Sequence, residues 1–298
     1  MWINVKAEKI NEVIKTVNKN HGTSYELLNR FDKGEWGAYR IAEPGKKSVV
    51  LKFFTDLSNT NIVDDDPKLA KNITDRLLSL DYPVPKYIYS GRIGKGLYWV
   101  QQEFPGKPLW QNPTVEQIEK VLSFLLLQKN QAISEKQNYS LIIKDTVFGN
   151  RLGGLRSIQN YSPEMSKFLD NLVFSVKDLE ALPLPNSDIV HGDFSHHQVM
   201  VDDEGKTTGI IDWQEAGCGD WLVDLTRLIY SLHDRPHLSN PIIKHVKQED
   251  LLRIRLYTAF TIIEMLLWPI QQNQINIENS FNKAKSAVNF VFAKNCTY

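Results

Sequence analysis

The chain has 298 residues, of which 42% are hydrophobic and 23% charged. That is about two ordinary domains' worth of globular protein and excludes a small disulfide-stapled scaffold or a disordered chain. Its 35 Lys and Arg balance its 35 Asp and Glu, so no global field recruits nucleic acid or an anionic membrane surface, and function must lie in a local site.

The opening residues, Met1 to Lys9, mix acid and base and lack the apolar run of a secretory signal. Strands dominate the first hundred residues. Tyr39-Arg40-Ile41 and Ser48 to Phe54 are β-rich runs separated by the turn Glu43-Pro44-Gly45-Lys46. Leu69, Ile73, Leu77 and Leu80 recur at helical spacing behind Asp66-Pro67, and Pro83-Val84-Pro85 ends that helix. Strands Lys86 to Tyr89 and Leu97 to Glu103 follow, with a glycine-rich turn between them. The order is strand, strand, helix, strand, strand, and a boundary is placed near residue 104, dividing the chain into 1–103 and 104–298.

Beyond Pro105-Gly106 the character is helical. Thr114 and Gln117 form a capping-box pattern ahead of Val115, Ile118, Val121, Leu122 and Leu125. Ser162-Pro163 starts a second helix, and two late helices run from about Glu249 to Trp268 and from about Asn279 to Phe292. The apolar stretches 121–127 and 257–270 are too short to span a bilayer. Two cysteines, Cys218 and Cys296, are too few for a disulfide framework or a four-cysteine zinc site. These features together predict a cytoplasmic protein without a membrane partner.

Embedded among the helices is a β-like island from Ile189 to Ile211. One arm carries His191-Gly192-Asp193 and Gln198; the other ends in Ile211-Asp212-Trp213. An aspartate before an aromatic at a strand end often only caps a turn. Here two of them would face one another across a hairpin, and with the Gln198 amide they supply the hard oxygen donors that suit magnesium and phosphate.

These residues resemble the aminoglycoside phosphotransferase and choline kinase family, small-molecule kinases with the protein-kinase fold. His191-Gly192-Asp193 followed by Gln198 resembles the family's catalytic loop, with glutamine in place of the usual asparagine. Ile211-Asp212-Trp213 resembles its metal-binding strand, and Gly219-Asp220 with Asp224-Leu225 its downstream motif. Val50-Leu51-Lys52 resembles the strand bearing the phosphate-binding lysine, Gly34 to Arg40 the nucleotide loop, and Gln102-Glu103-Phe104-Pro105-Gly106 the interlobe hinge. The ordered set covers about residues 25 to 270.

The resemblance implies a two-lobed α+β fold, with an antiparallel N-terminal sheet carrying one main helix and a larger, mainly helical C-terminal lobe. It further implies ATP-dependent phosphorylation of a small-molecule hydroxyl, with GTP as an alternative donor and Mg2+ as cofactor. Asp193 would be the catalytic base. Lys52, the backbone at Gly34 and Gly37, and the hinge residues Gln102, Glu103 and Phe104 would bind nucleotide, while Gln198 and Asp212 would hold the metal and His191 would brace the loop. Asp75 is the candidate acid to pair with Lys52. Acceptors implied by the family include aminoglycoside antibiotics and choline, and Glu215, Asp220, Asp234 and Glu264 are the acidic residues available to a cationic one.

Other readings stand beside this one. Lys52 alone could be an edge-strand gatekeeper. A degenerate pseudokinase serving as a nucleotide-binding or interaction module is the alternative function, and a zinc hydrolase using His196 or His197 is a more distant one. His233 and His237 read as a solvated polar loop, and Trp110, Trp221 and Trp268 as core residues rather than a cage for a quaternary ammonium. Nothing in the sequence sets the oligomeric state.

Overall fold

The computed structural model describes residues 7–31, 38–57, 60, 62–109, 113–274 and 276–294. Helix α1 (Ala7–His21) opens the chain, where the sequence reading places no element. Ile10, Val13, Ile14 and Val17 lie at i, i+3, i+4 and i+7 and are buried, so an amphipathic signal is present. They pack on one face of a five-stranded antiparallel sheet made of β1 (Glu26–Arg30), β2 (Ala38–Ala42), β3 (Val49–Phe54), β4 (Tyr87–Ile93) and β5 (Gly96–Gln102), in the spatial order β1-β2-β3-β5-β4. Helix α2 (Leu69–Leu78) covers the other face.

Because side chains alternate across a strand, β3 sends Leu51 and Phe53 toward α1, whereas Phe54 joins the core on the α2 side. Lys52 shares the parity of Phe54 and so turns to that same side, in register with Ala38 and Trp99. Since β3 lies inside the sheet, the edge-strand reading of Lys52 does not apply.

After β5 the chain passes through Glu103 to Gly106 into β6 (Lys107–Pro108). Helix α3 (Val115–Leu127) follows with both halves of the Thr114 and Gln117 capping box formed, then α4 (Tyr139–Phe148), α5 (Gly154–Gln159) and α6 (Pro163–Ser175), the last capped by the Ser162 hydroxyl. The island resolves into β7 (Asp188–Val190), β8 (Val199–Val201), β9 (Thr207–Ile210) and β10 (Gly217–Gly219), with β8 and β9 forming a hairpin beside β6 and with β10 pairing β7. Helices α7 (Leu222–Leu232), α8 (Pro236–Ile243), α9 (Leu251–Gln271) and α10 (Ile277–Lys294) complete the chain.

One continuous apolar cluster runs from the α2 side of the sheet, through Tyr82 and Trp213, into α7 and α9. The sheet and the helical part are therefore welded along the line where the hairpin lies. This is the mixed fold with an antiparallel N-terminal sheet and a helical C-terminal part that the sequence predicts. Among the described residues, no helix is long and apolar enough to cross a membrane.

Candidate functional site

The β8–β9 hairpin builds the site. Val199 pairs with Ile210, and the Ile211 amide donates to the Gln198 carbonyl at 2.9 Å, so the residues flanking the two strands are held side by side. Asp212 then takes a left-handed backbone (φ +77°), uncommon for a residue with a side chain. Its carboxylate forms an ion pair with the Lys52 ammonium, arriving from β3 across the cleft. Burial pushes Lys52 down, to about 7, and the negative Asp193 nearby opposes it. The Asp212 carboxylate that it contacts also favours the charged ammonium.

Asp193 sits in the turn between β7 and a short 3-10 turn, His196–Gln198. Its Oδ1 lies 3.7 Å from Nη1 of Arg227, and its Oδ2 lies 3.5 Å from Nε2 of Gln198. The Ser195 hydroxyl donates to Oε1 of Gln198, fixing the longer side chain that stands at this position. Desolvation raises the Asp193 carboxyl above its ordinary value, with Arg227 and Lys52 pulling the other way.

The backbone around Asp193 is held from α7. Asp224, fully buried, accepts from the amides of His191 (2.7 Å) and Gly192 (3.1 Å) and from Nε2 of Gln128 (2.8 Å). Burial lifts Asp224 to about 6 despite these donors. Gly192 has φ +89°, and a Cβ there would stand 1.7 Å from the Tyr139 hydroxyl oxygen, so the turn requires glycine. His191 is fully buried, with Nε2 2.7 Å from the Ile211 carbonyl oxygen. Burial lowers it to about 3, so it braces the two arms as a neutral ring.

Gln102, Glu103 and Phe104 lie where β5 ends. Gln102 donates its amide to the Lys86 carbonyl at 2.9 Å. Glu103 accepts from Nε of Arg40 at 3.1 Å and from the Ser48 hydroxyl at 2.7 Å. The Phe104 ring lies on β9, where a Cβ at Gly209 would come within 2.3 Å of it. Gly34, Gly37 and Trp110 lie outside the described residues.

Several expectations change. Asp75 does not pair with Lys52; it forms an i,i+4 pair with Lys71 on the exposed side of α2. The buried side of that helix carries only Leu69, Ala70, Ile73, Thr74 and Leu77. Asp65 pairs with Arg92 at 2.7 Å, and Asp64 and Asp66 flank Lys136 at 3.5 and 3.3 Å. Glu264 and Asp220, candidates for a cationic acceptor, are buried structural acids. Glu264 pairs with Arg227, while Asp220 accepts from Arg253 at 2.5 Å and from the Tyr257 hydroxyl at 2.9 Å. Asp234 is exposed and Glu215 half-buried. His233 is not a solvated loop residue: it is buried at the end of α7, with Nδ1 2.8 Å from the Tyr230 carbonyl oxygen. His196 is buried against the Ser231 hydroxyl at 3.1 Å, while His197 is exposed. Among the described residues, no three His, Cys, Asp or Glu side chains gather as metal ligands. Trp221 is buried, and Trp268 is half-buried.

Arg227 and Ser195 are the residues that sequence reasoning does not single out. Ser195 carries a local signal, a hydroxyl that caps the turn holding Gln198. Arg227 carries none, because its partners are 34 and 37 positions away.

Residues 32–257 match the phosphotransferase enzyme family. No curated protein matches the chain by sequence. Among solved structures, a thermostable aminoglycoside phosphotransferase in a ternary complex with ADP and hygromycin B superposes with a TM-score of 0.64 at 16% identity, covering 95% of this chain and 98% of the other. A choline kinase from Streptococcus pneumoniae gives 0.66 at 15% identity, covering 95% and 99%. An ethanolamine kinase from Plasmodium vivax gives 0.61 at 11% identity, covering 99% and 93%. At these identities the likeness establishes a shared fold.

Proposed function

Because the chain belongs to the phosphotransferase enzyme family, we propose that it transfers the γ-phosphoryl group of ATP to a hydroxyl of a small molecule, with residues 1–103 binding nucleotide and 104–298 binding the acceptor. The observation that carries this reading is Lys52 reaching down from the sheet to the Asp212 carboxylate at the end of the hairpin, with Asp193, in the turn that precedes the hairpin, near enough to act on the same ammonium.

Asp193 accepts a hydrogen bond from the acceptor hydroxyl, takes its proton and aligns the oxygen for attack on the γ-phosphorus. A bond forms from that oxygen to phosphorus, the bond to the bridging oxygen breaks, and the diphosphate leaves with the electron pair. Lys52 binds the nucleotide phosphates, and the backbone of Gln102, Glu103 and Phe104 meets the base, with Gly34 and Gly37 covering the phosphates. The donor set fits magnesium: the Asp212 carboxylate and Gln198 carbonyl are hard oxygens on adjacent arms. When bound, the ion neutralises phosphate charge. The Gln198 carbonyl has a second lone pair for the metal while it accepts the Ser195 hydroxyl.

The first test is thermal melting with ATP and with GTP, each with and without magnesium, because a ligand that binds only the folded state raises the melting temperature. The acceptor panel begins with choline, ethanolamine and hygromycin B, the chemistry of the structural neighbours. Asp193→Asn should keep the nucleotide-dependent melting shift and lower turnover by about 10²- to 10⁴-fold; undiminished turnover would overturn the assignment of the base. The bare buried side of α2, which offers Lys52 no acid, favours the pseudokinase reading as the second choice. That reading requires binding without turnover.

A further inference from the structure

We propose that Arg227 is the positioning residue that sets the orientation of the Asp193 carboxylate; this rests on the reading of Asp193 as the base. Asp224 and Arg227 are three residues apart on α7, and at that spacing two side chains share a helix face. Asp224 takes the amides of His191 and Gly192, while Arg227 places Nη1 at 3.7 Å from Oδ1 of Asp193. One face of one helix therefore holds both the backbone of the turn and the reacting side chain at its tip.

Arg227 is built to stay where it is. It is 3% exposed, its Nη2 is paired with Glu264 on α9, and its guanidinium carbon lies 5.4 Å from the Phe260 ring centre. Its Nε has no hydrogen-bond partner among the described residues. A buried guanidinium with an unused donor serves packing poorly, because each unmet donor costs stability. Its placement is understandable if the fork is aimed by Glu264 at one end and by Asp193 at the other. The Arg227 ion pair at Oδ1 and the Gln198 amide 3.5 Å from Oδ2 bias the orientation of a carboxylate whose side chain is otherwise half exposed. A general base must present a lone pair along the O–H direction of the acceptor, and a misplacement of about 1 Å can cost roughly 100-fold in rate.

The test replaces both ends of the buried pair, Arg227→Met with Glu264→Leu, since exchanging a buried ion pair for apolar side chains of similar volume is commonly tolerated. Turnover is read as ADP release from MgATP with the panel alcohol that the native protein phosphorylates. The double variant should fold, keep its KM for MgATP and its nucleotide melting shift, and lose about 10- to 100-fold in kcat. Its crystal structure should show the Asp193 carboxylate turned from its native plane. Arg227→Lys, which restores the charge without the fork, should recover part of kcat.

Native kcat in the double variant, or an unmoved Asp193, overturns the proposal. Should the double variant fail to fold, Arg227→Lys decides: lowered kcat at unchanged nucleotide KM supports the role, and native kcat refutes it. If Asp193→Asn itself retains turnover, it is the reading of the base that fails, and the crystallographic orientation still judges Arg227.

Discussion

On the C-terminal side of the cleft the His191 to Asp193 turn meets fixed partners. Asp224 holds two of its amides, the Ile211 carbonyl holds the His191 ring, and Arg227 and Gln198 flank the carboxylate. On the sheet side Lys52 has no acid on α2 and reaches its carboxylate across the gap, on Asp212. One wall is organised from within its own lobe, while the other takes its order from what it faces. A side chain preorganised by its own shell supports chemistry, and one whose partner lies opposite responds to whatever enters between them. Substitutions on the loop side should therefore cost stability and kcat together, while those on the lysine side should cost nucleotide affinity.

The sharpest break in this contrast is Asp224→Ala. It leaves the His191 and Gly192 amides buried without an acceptor and removes one of the two acceptors of Nε2 of Gln128, which keeps the Ile189 carbonyl. At about 1–3 kcal/mol for each unmet donor, the loss is a large part of a typical stability of about 5–15 kcal/mol. Urea denaturation reads it directly. A loss below about 1 kcal/mol would mean that the turn holds its shape without α7, removing the distinction between the two walls.

Acid probes the same side next. Burial lowers His196, with His197, Arg235 and Lys283 reinforcing it, to about 3, and His191 likewise falls to about 3. Unfolded histidine titrates near 6.5, so between these values the unfolded chain binds more protons and stability falls as pH drops below about 6.5. Asp224, raised to about 6, acts oppositely between about pH 4 and 6, as do Asp193 and Asp220, which burial also raises, so the histidine contribution is read from a substitution rather than from the net slope. Between pH 7 and 5 the native protein should lose about 2 kcal/mol of stability relative to His196→Gln. Equal losses in both proteins, by urea denaturation at the two pH values, would show that His196 is not buried as a neutral ring.

How much of this contrast was legible in sequence follows from the range of the interactions. Strands β2, β3 and β5, helix α2, the Thr114 cap and the Ser162 cap are local patterns and stand where those patterns place them, while β4 runs on to Ile93, into the stretch whose glycines signal a turn. The hairpin that sets Gln198 beside Ile211 was legible because short strands and a turn signal connect them, whereas the Asp193 turn before it is tied in by the His191 ring on the Ile211 carbonyl. Helix α1 was missed although its stripe is regular; the strand-rich residues after it drew the reading away. Helix α7 carries a regular apolar stripe, Leu222, Leu225, Ile229 and Leu232, but its polar face with Asp224 and Arg227 reads as solvent-facing although ten of its eleven residues are buried. Arg227, Glu264 and Asp220 look like surface charges in one dimension and become buried pairs only through tertiary contact. Charge read without a partner is therefore the weakest guide here, and it misassigned two of the four acids offered to the acceptor.

On the lysine side the expected effect is smaller and of a different kind. Lys52→Met should raise the KM for MgATP about tenfold or more, equivalent to about 1.4 kcal/mol, and shrink the nucleotide melting shift. It frees an Asp212 side chain that is already 32% exposed, so stability without nucleotide should change little. An undiminished melting shift would remove Lys52 from the phosphate site and leave its pairing with Asp212 purely structural.

Asp75→Ala is the mildest change and the most informative about α2. Its pair with Lys71 is exposed on both sides, at 44% and 36%, and such a pair is worth at most about 0.5 kcal/mol. Stability and nucleotide KM should both stay near native, because Asp75 lies roughly 200° around the helix from the buried Ile73 at about 100° per residue and cannot reach Lys52 without turning α2. If Asp75→Ala instead raises the KM for MgATP as Lys52→Met does, α2 must rotate when nucleotide enters. The pairing of Lys52 with Asp212 would then belong to the nucleotide-free form, and the sheet side would gain on binding the internal order that the loop side already has.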